Sequence, residues 1–390
     1  MNADFKRIYF IRFASNFCQA SFFPFFAVWL MKEKLFLATG SAVIVSIGIF
    51  STRLCAPFLS SHVKKYDKKY SIFFALCLLL GLYSALFFLA TYKIHDMALW
   101  VTVSFLIGGA LSMNSLSLLS YLAIHQDEHN HHRGFSFINM ALNLSSGLGP
   151  FLGAITLAFD KTIFPLIPIL FAMLSMGVVF FLNHDRVFSR TVTKINEKTF
   201  SAGGPQFLFF ICINMMTFVA YAQFYDVFPL YAFHYLNEKT IGLLFIISSV
   251  VIVIVQFPMN RLLLNFSNQF SMLLSNAILA IGTLLFIAAS EKWLMVCILG
   301  VVLISMAEVM YAPMYQTLAV QLYQPNNPVR ALAIQSFSWG VAEAVATFLG
   351  IVVVGAGYGY VSFILGGIAA VMVGVFVFGK RACSVSITSY

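Results

Sequence analysis

Apolar stretches of about twenty residues recur along the chain between short polar breaks. As helix, that length crosses the roughly 30 Å hydrocarbon core of a bilayer. The pattern predicts twelve spans, at 8–30, 39–61, 71–92, 97–123, 134–158, 163–183, 206–234, 240–262, 270–290, 293–322, 331–355 and 360–379. The runs are continuous rather than alternating, which excludes a transmembrane barrel. The longest polar stretch, His184 to Pro205, lies near the midpoint. It separates a first six-helix bundle over 1–183, a cytoplasmic linker over 184–205 and a second bundle over 206–390. The fold class expected is therefore an all-α polytopic membrane protein with twelve transmembrane helices in two bundles.

Composition sharpens this picture. Hydrophobic residues make up 61% of the chain and charged residues 9%, against about 25% charged in a soluble domain, and mean hydropathy is +0.90. So few charges cannot cover a water-soluble fold, and a disordered chain, a coiled coil and a nucleic-acid-binding domain are excluded with it. The net charge of +9 becomes a question of where the charges sit. With both termini cytoplasmic, the inner segments hold fifteen of the 23 Lys and Arg residues, including Lys6, Arg7, Lys68, Lys69, Arg133 and Arg190. The outer loops hold six: Lys32, Lys34, Lys93, Lys161, Lys239 and Lys292. That bias follows the positive-inside rule. Arg12 and Arg53 fall deep within spans. The basic start, Met1 to Arg7, leads into the first span without a small-residue cleavage site, so a retained helix is expected rather than a signal peptide. The cysteines at 18, 55, 77, 212, 297 and 383 form no CxxC pair. They read as packing residues, not disulfides or metal ligands.

The two halves repeat each other. Phe23-Pro24-Phe25-Phe26-Ala27 followed by Glu33-Lys34 matches Phe228-Pro229-Leu230-Tyr231-Ala232 followed by Glu238-Lys239, with identical spacing. Pro57 matches Pro258, and Arg133 matches Arg330. Duplicated six-helix halves related by an axis along the membrane normal are the architecture of major facilitator transporters. A substrate site between the halves, near the midplane, follows from that analogy.

Local sequence points the same way. Leu148-Gly149-Pro150-Phe151-Leu152-Gly153-Ala154 resembles the Gly-Pro antiporter motif of drug-proton antiporters in that superfamily. Gly149 and Gly153 allow close helix approach and Pro150 bends the helix. Ala307-Glu308-Val309-Met310-Tyr311-Ala312-Pro313 resembles the acidic Glu-x-x-Tyr-x-Pro segment of bacterial multidrug and dipeptide effluxers. Gln223-Phe224-Tyr225-Asp226-Val227-Phe228-Pro229-Leu230-Tyr231 is similar to their acidic seventh span. The resemblance implies a twelve-span proton-coupled antiporter in the cytoplasmic membrane of a bacterium. It also implies a monomer, with a small-molecule substrate, protons and the lipid bilayer as its partners and no cofactor beyond the coupling proton. Two departures limit it. The loop from Ser60 to Lys69 keeps the family's basic end as Lys68-Lys69 but has Lys64 where an Asp is usual and Asp67 where a Gly is usual. Phe105-Leu106-Ile107-Gly108-Gly109 lacks the buried Arg common in the fourth span. Neither the loop's charge lock nor proton coupling by that Arg carries over.

An ionisable residue within a span is costly and marks a functional site by default. Here these are Asp226, Glu308, Glu343, Arg12 and Arg53. Spans 1, 4, 7 and 10 line the cavity in the fold implied, so Asp226 and Glu308 can face it. Burial disfavours the charged form of a carboxyl, which suits such a group to loading and releasing a proton. The alternative is a structural partner for an Arg or a helix end. Glu343 shares a stripe with Gln335 and Trp339, as a coupling acid or as a packed neutral carboxyl. Arg12, with Asn16 and Gln19 on its face, and Arg53 can each hold an anionic substrate group or snorkel to the interface. Tyr311 and Tyr315 follow Glu308 on one helix face. Asn214, Thr217, Tyr221 and Tyr225 form a second stripe with Gln223 nearby, and Asn139 and Asn143 a third. These stripes line a cavity or join helices. The His125–His132 tract resembles a metal cluster but fixes no ligand geometry, so a solvated loop is expected.

Secondary active export of a small amphipathic organic compound is the reading these residues favour. Export or symport of an anionic metabolite, such as a carboxylate siderophore or organic acid, is the alternative, with Arg12 and Arg53 as counter-charges. The chain carries no Gly-x-x-x-x-Gly-Lys nucleotide motif, and no His-rich or Asp-rich catalytic set at membrane depth. Neither an ATP-driven pump nor a membrane enzyme is expected.

Overall fold

The computed structural model describes residues 3–125, 131–183, 204–263, 265–323 and 328–381. Among them, all regular structure is helical. In the first half the helices are α1 (Ala3–Lys32), α2 (Ala38–Lys65), α3 (Lys68–Thr91), α4 (Met97–His125), α5 (His131–Phe159) and α6 (Leu166–Val179). In the second they are α7 (Pro205–Ala232), α8 (Glu238–Leu263), α9 (Asn268–Leu285), α10 (Leu294–Tyr323), α11 (Pro328–Gly355) and α12 (Gly359–Arg381). Eleven are long and apolar enough to cross a membrane. Each predicted span coincides with one helix. The linker through Gly203 and residues Gln126–Asn130 of the histidine tract lie outside the described residues.

The sixth span is shorter than expected, with 14 helical residues where 163–183 was predicted. Pro165 sets its start. At its end, side chains from other helices take the carbonyls that another turn would have used. Lys69 donates to the carbonyls of Phe180 and Leu182 at 3.0 and 2.7 Å, and Arg7 to that of Phe181 at 2.6 Å. The basic end of the α2–α3 loop is thus a clamp within the first half. Asp67 caps α3 by accepting from the Lys69 amide at 2.8 Å.

Small residues set the packing. α5 is sandwiched between α1 and α8. A Cβ on Gly153 would lie 2.1 Å from the Ser21 carbonyl oxygen of α1, and one on Gly149 2.8 Å from Ala20 Cβ. On the other side, a Cβ on Gly147 would lie 2.1 Å from Ser249 Oγ of α8, and one on Gly242 of α8 would lie 2.8 Å from Ala154 Cβ. The glycine-proline motif therefore fastens α5 to its own half, while its neighbours join the halves. Backbones this close are how helices associate in lipid, where water exclusion supplies no drive. The second junction is α2 against α11. There Gly340 faces Arg53 and Gly355 faces Ala38.

Simple alternation places the termini on one face and the α1–α2, α7–α8 and α11–α12 connections on the opposite face. On that opposite face α1 also packs against the end of α7. Lys32 forms an ion pair with Glu238 of the other half, and its ammonium lies 4.6 Å from the centre of the Phe233 ring. Phe25 and Phe245 meet edge to face at 6.3 Å.

Candidate functional site

The repeat predicts a proline-containing seventh helix. Its local geometry adds a π-helical turn over Gln223–Val227, followed by regular helix from Phe228. Pro229 removes one backbone donor and crowds the carbonyl four residues back, which here is Tyr225. A widened turn just before it relieves that crowding, and such turns are frequent at functional sites. Tyr221, just before this turn, and Tyr225, within it, present both hydroxyls to the Glu308 carboxyl in the middle of α10, at 3.3 and 3.4 Å.

Aromatic rings surround that carboxyl. Tyr221 and Tyr225 are 4.7 Å apart, Tyr311 stands edge-on to Tyr221 at 6.2 Å, and Phe218 stacks on Trp339 at 4.1 Å. Among the described residues, the buried Tyr311 hydroxyl has no hydrogen-bond partner, while the Trp339 indole lies within reach of the Glu343 carboxyl. A buried polar atom left unpaired calls for a ligand or water.

The remaining charges approach from both halves. Asp226, within the wide turn, accepts from Thr347 of α11 at 2.8 Å. Glu343, one turn before Thr347, is its charged neighbour. Arg53 crosses from α2 and lays its guanidinium on Trp339, 3.8 Å from the ring centre, near enough to Glu343 to feel its charge. The absent side chain of Gly340 makes this crossing possible, since a Cβ there would lie 2.4 Å from Arg53 Cβ. Arg12 is turned inward, not toward the interface. It is 9% exposed, donates to Ser115 of α4 at 2.9 Å, and its Nε is unpartnered. Among the described residues, none of these five charges forms an ion pair.

Other candidates lie in helix contacts. Tyr315 is buried between Thr217 and Asn276, bonded to them at 2.8 and 2.9 Å. Asn214 donates to Ser338 at 2.9 Å, and Gln335 donates to Asn214 at 3.4 Å. Gln223 donates to the Val219 carbonyl and accepts from Ser362. Asn16 donates to Ser145 at 2.6 Å, holding α1 to α5. The Asn143 carbonyl accepts from Ser249 at 2.9 Å, across the halves. Gln19 is half-buried on the same helix as Arg12, and Pro150 is buried beside Gly149. The Asn139 side chain lies outside the described residues. Thr347, Phe218 and Ser115 join the site without having been singled out in sequence. Thr347 was legible in principle, one turn after Glu343 on the Gln335–Trp339–Glu343 stripe. Among the described residues no cluster of His, Cys, Asp and Glu is arranged to hold a metal.

Residues 207–383 match the family model described as Major Facilitator Superfamily. No curated protein matches the chain. Three solved transporters share its fold. A POT family transporter in complex with a thioalcohol-conjugated peptide superposes with a TM-score of 0.77 at 12% identity, covering 98% of this chain and 96% of that one. The nucleoside transporter NupG, in a mutant form, gives 0.78 at 13%, covering 97% and 99%. An auto-inhibited POT family peptide transporter gives 0.78 at 11%, covering 100% and 99%. The chain is thus a multi-pass membrane protein with the major facilitator fold, and its second half carries the sequence signature of that superfamily.

Proposed function

We propose that the protein is a secondary active transporter, a proton-coupled antiporter that exports a small amphipathic organic compound by alternating access. One observation carries this reading. Three carboxyls on α7, α10 and α11 lie at membrane depth beside an aromatic cup, and among the described residues none is neutralised by an ion pair. A charged side chain at a helix centre costs roughly 2.5–3.5 kcal/mol in insertion measurements. Groups that exchange a proton can shed that cost and restore it in each cycle. Glu308, held by two tyrosines, and the Asp226–Glu343 pair are the coupling groups. Tyr221, Tyr225, Tyr311 and Trp339 are the contact surface for cargo. The setting is the inner membrane of a bacterium, with both termini cytoplasmic, a monomeric unit and the proton as the coupling ion.

Arg12 and Arg53 favour a second reading, in which the cargo is an anionic metabolite such as an organic acid or carboxylate siderophore. A substrate screen in proteoliposomes under an imposed pH gradient tests both. Proton-driven movement of lipophilic compounds supports the first reading, and selective movement of carboxylates supports the second. Cargo movement indifferent to the gradient defeats proton coupling in either.

A further inference from the structure

We propose that the face away from the termini carries a binding site for an anionic phospholipid, formed by the α1–α2 connection and the last turn of α11. The phosphate sits on Lys34 and an acyl chain fills the cavity below it. The site is separate from the aromatic cup and does not depend on the cargo or the coupling ion.

A cavity of about 710 Å³ opens on that face between the two bundles. Ordinary small-molecule pockets hold roughly 300–1,000 Å³. Leu35, Phe36 and Leu37 wall it from the first bundle, and Val352, Gly355 and Ala356 from the second. Its depth in the bilayer follows from the spans. The apolar span of α2 begins at Ala38 and that of α11 ends at Gly355, and both residues line the cavity. It therefore sits where the hydrocarbon ends and the headgroups begin. Leu37 at its rim is 83% exposed, and Tyr358 and Tyr360, just beyond α11, are exposed as well. An apolar side chain so exposed at this level faces lipid, and tyrosines are enriched at the headgroup layer.

Charge selects the kind of lipid. Lys34 is the one charged residue among those lining the cavity. The acids of the neighbouring connections are engaged elsewhere. Glu33 pairs with Lys161, Glu238 pairs with Lys32, and Asp96 accepts from the Ala98 and Leu99 amides at the start of α4. Among the described residues Lys34 forms no ion pair. Beside it, the Phe36 ring meets His95 and Trp100 edge to face at 6.3 and 5.7 Å, which fixes that wall of the cavity. A lysine at the membrane surface attracts anionic headgroups, and each methylene of a chain buried beneath it adds to the binding.

The backbone makes Lys34 an informative residue to change. α1 ends in a Schellman turn, with the Leu35 amide donating to the Leu30 carbonyl and the Lys34 amide to that of Met31, at 3.0 and 3.1 Å. Its left-handed position usually holds glycine, yet Lys34 occupies it at φ 55°. Lys34→Gly thus deletes the charge while easing the backbone. Lys93 ends α3 in the same conformation, at φ 50°, and is not among the residues lining the cavity, so Lys93→Gly is the matched control.

The test uses the full chain purified in detergent, with bound lipid counted by native mass spectrometry. The probes are dioleoylphosphatidylglycerol, dioleoylphosphatidylcholine and glycerol phosphate, the last carrying the phosphate without chains. Phosphatidylglycerol should bind about fivefold more tightly than phosphatidylcholine, the effect of one lysine near an anionic headgroup. Glycerol phosphate should not displace it. Lys34→Gly should lose the preference, while Lys34→Arg and Lys93→Gly keep it. Ala356→Trp, which fills the cavity, should weaken binding of both lipids. Thermal unfolding should show midpoints for Lys34→Gly and Lys93→Gly no lower than that of the parent, separating lost binding from lost fold. Should Lys34→Gly fail to fold, Lys34→Asn, which also tolerates the left-handed backbone, gives the same reading. Equal affinity for the two lipids overturns the proposal, as does a preference that survives in Lys34→Gly or is lost in Lys93→Gly. Undiminished binding in Ala356→Trp overturns it too, and displacement by glycerol phosphate shows a site for soluble phosphate instead.

Discussion

Arg53 of α2 sits over Trp339 of α11, its guanidinium carbon 3.8 Å from the ring centre, so a cation from one bundle rests on an aromatic ring of the other. Phe218 stacks on the same indole at 4.1 Å, and the contact spans one of the two junctions between the bundles. A desolvated cation–π contact is worth about 2 kcal/mol. Trp339→Phe, which keeps a π face, should retain most of the transport rate in vesicles. Trp339→Leu should lose roughly tenfold or more, at 1.4 kcal/mol per decade. Equal losses in the two variants would show that the ring acts only as bulk.

Glu308 and its tyrosines give a second prediction. Glu308→Gln should abolish transport driven by a pH gradient while leaving the purified protein folded, since the amide is nearly isosteric and can accept from one of the hydroxyls of Tyr221 and Tyr225 and donate to the other. Tyr225→Phe removes one donor at the edge of hydrogen-bonding distance and should slow transport only several-fold, in line with about 1 kcal/mol for such a bond. Gradient-driven transport that survives in both Glu308→Gln and Asp226→Asn would sink the coupling assignment.

The α1–α5 seam predicts a stability difference between two glycines. Gly153→Ala forces a methyl to 2.1 Å from the Ser21 carbonyl oxygen, whereas Gly81→Ala meets nothing within 4 Å. Overpacking of this kind costs about 1–3 kcal/mol, while an alanine on an open helix face is neutral or slightly stabilising. Thermal unfolding in detergent should show a clear drop in midpoint for the first variant and none for the second.

On the face away from the termini, Lys32 and Glu238 join the bundles. Lys32→Ala or Glu238→Gln should make that face open more often. The readout is labelling of Ala232→Cys by a bulky, membrane-impermeant thiol reagent in a background lacking the native cysteines. Ala232 is fully buried, so labelling should start low and rise about two- to five-fold, matching the roughly 1 kcal/mol of a partly exposed pair. The charge-reversed double variant Lys32→Glu with Glu238→Lys should return it toward the starting level.

Span positions were legible because a run of twenty apolar residues has little alternative to crossing a bilayer as helix. The sixth span was overestimated, because what ends that helix is Lys69 and Arg7, which are distant in sequence. The ionisable residues of the site could be picked out from their cost alone. Their partners could not, since pairing depends on how the helices rotate. The stripe of Asn214, Thr217, Tyr221 and Tyr225 looks uniform along the chain. In the fold it divides, with Asn214 bonded to α11, Thr217 to α9 and α10, and the two tyrosines facing Glu308. Thr347 went unnoticed because a threonine in a span is ordinary until an aspartate is placed 2.8 Å away.

The wide turn over Gln223–Val227 holds one residue more than straight α-helix would. In rotational terms that surplus is a phase step of about 100° between the two ends of α7. Tyr221 before the step and Tyr225 within it address α10, while Asp226, also within it, addresses α11. A dislocation of this kind can travel along a helix by exchanging one backbone hydrogen bond for its neighbour, with no net loss of bonds. Each such move re-aims the residues it passes and leaves both ends of the helix anchored.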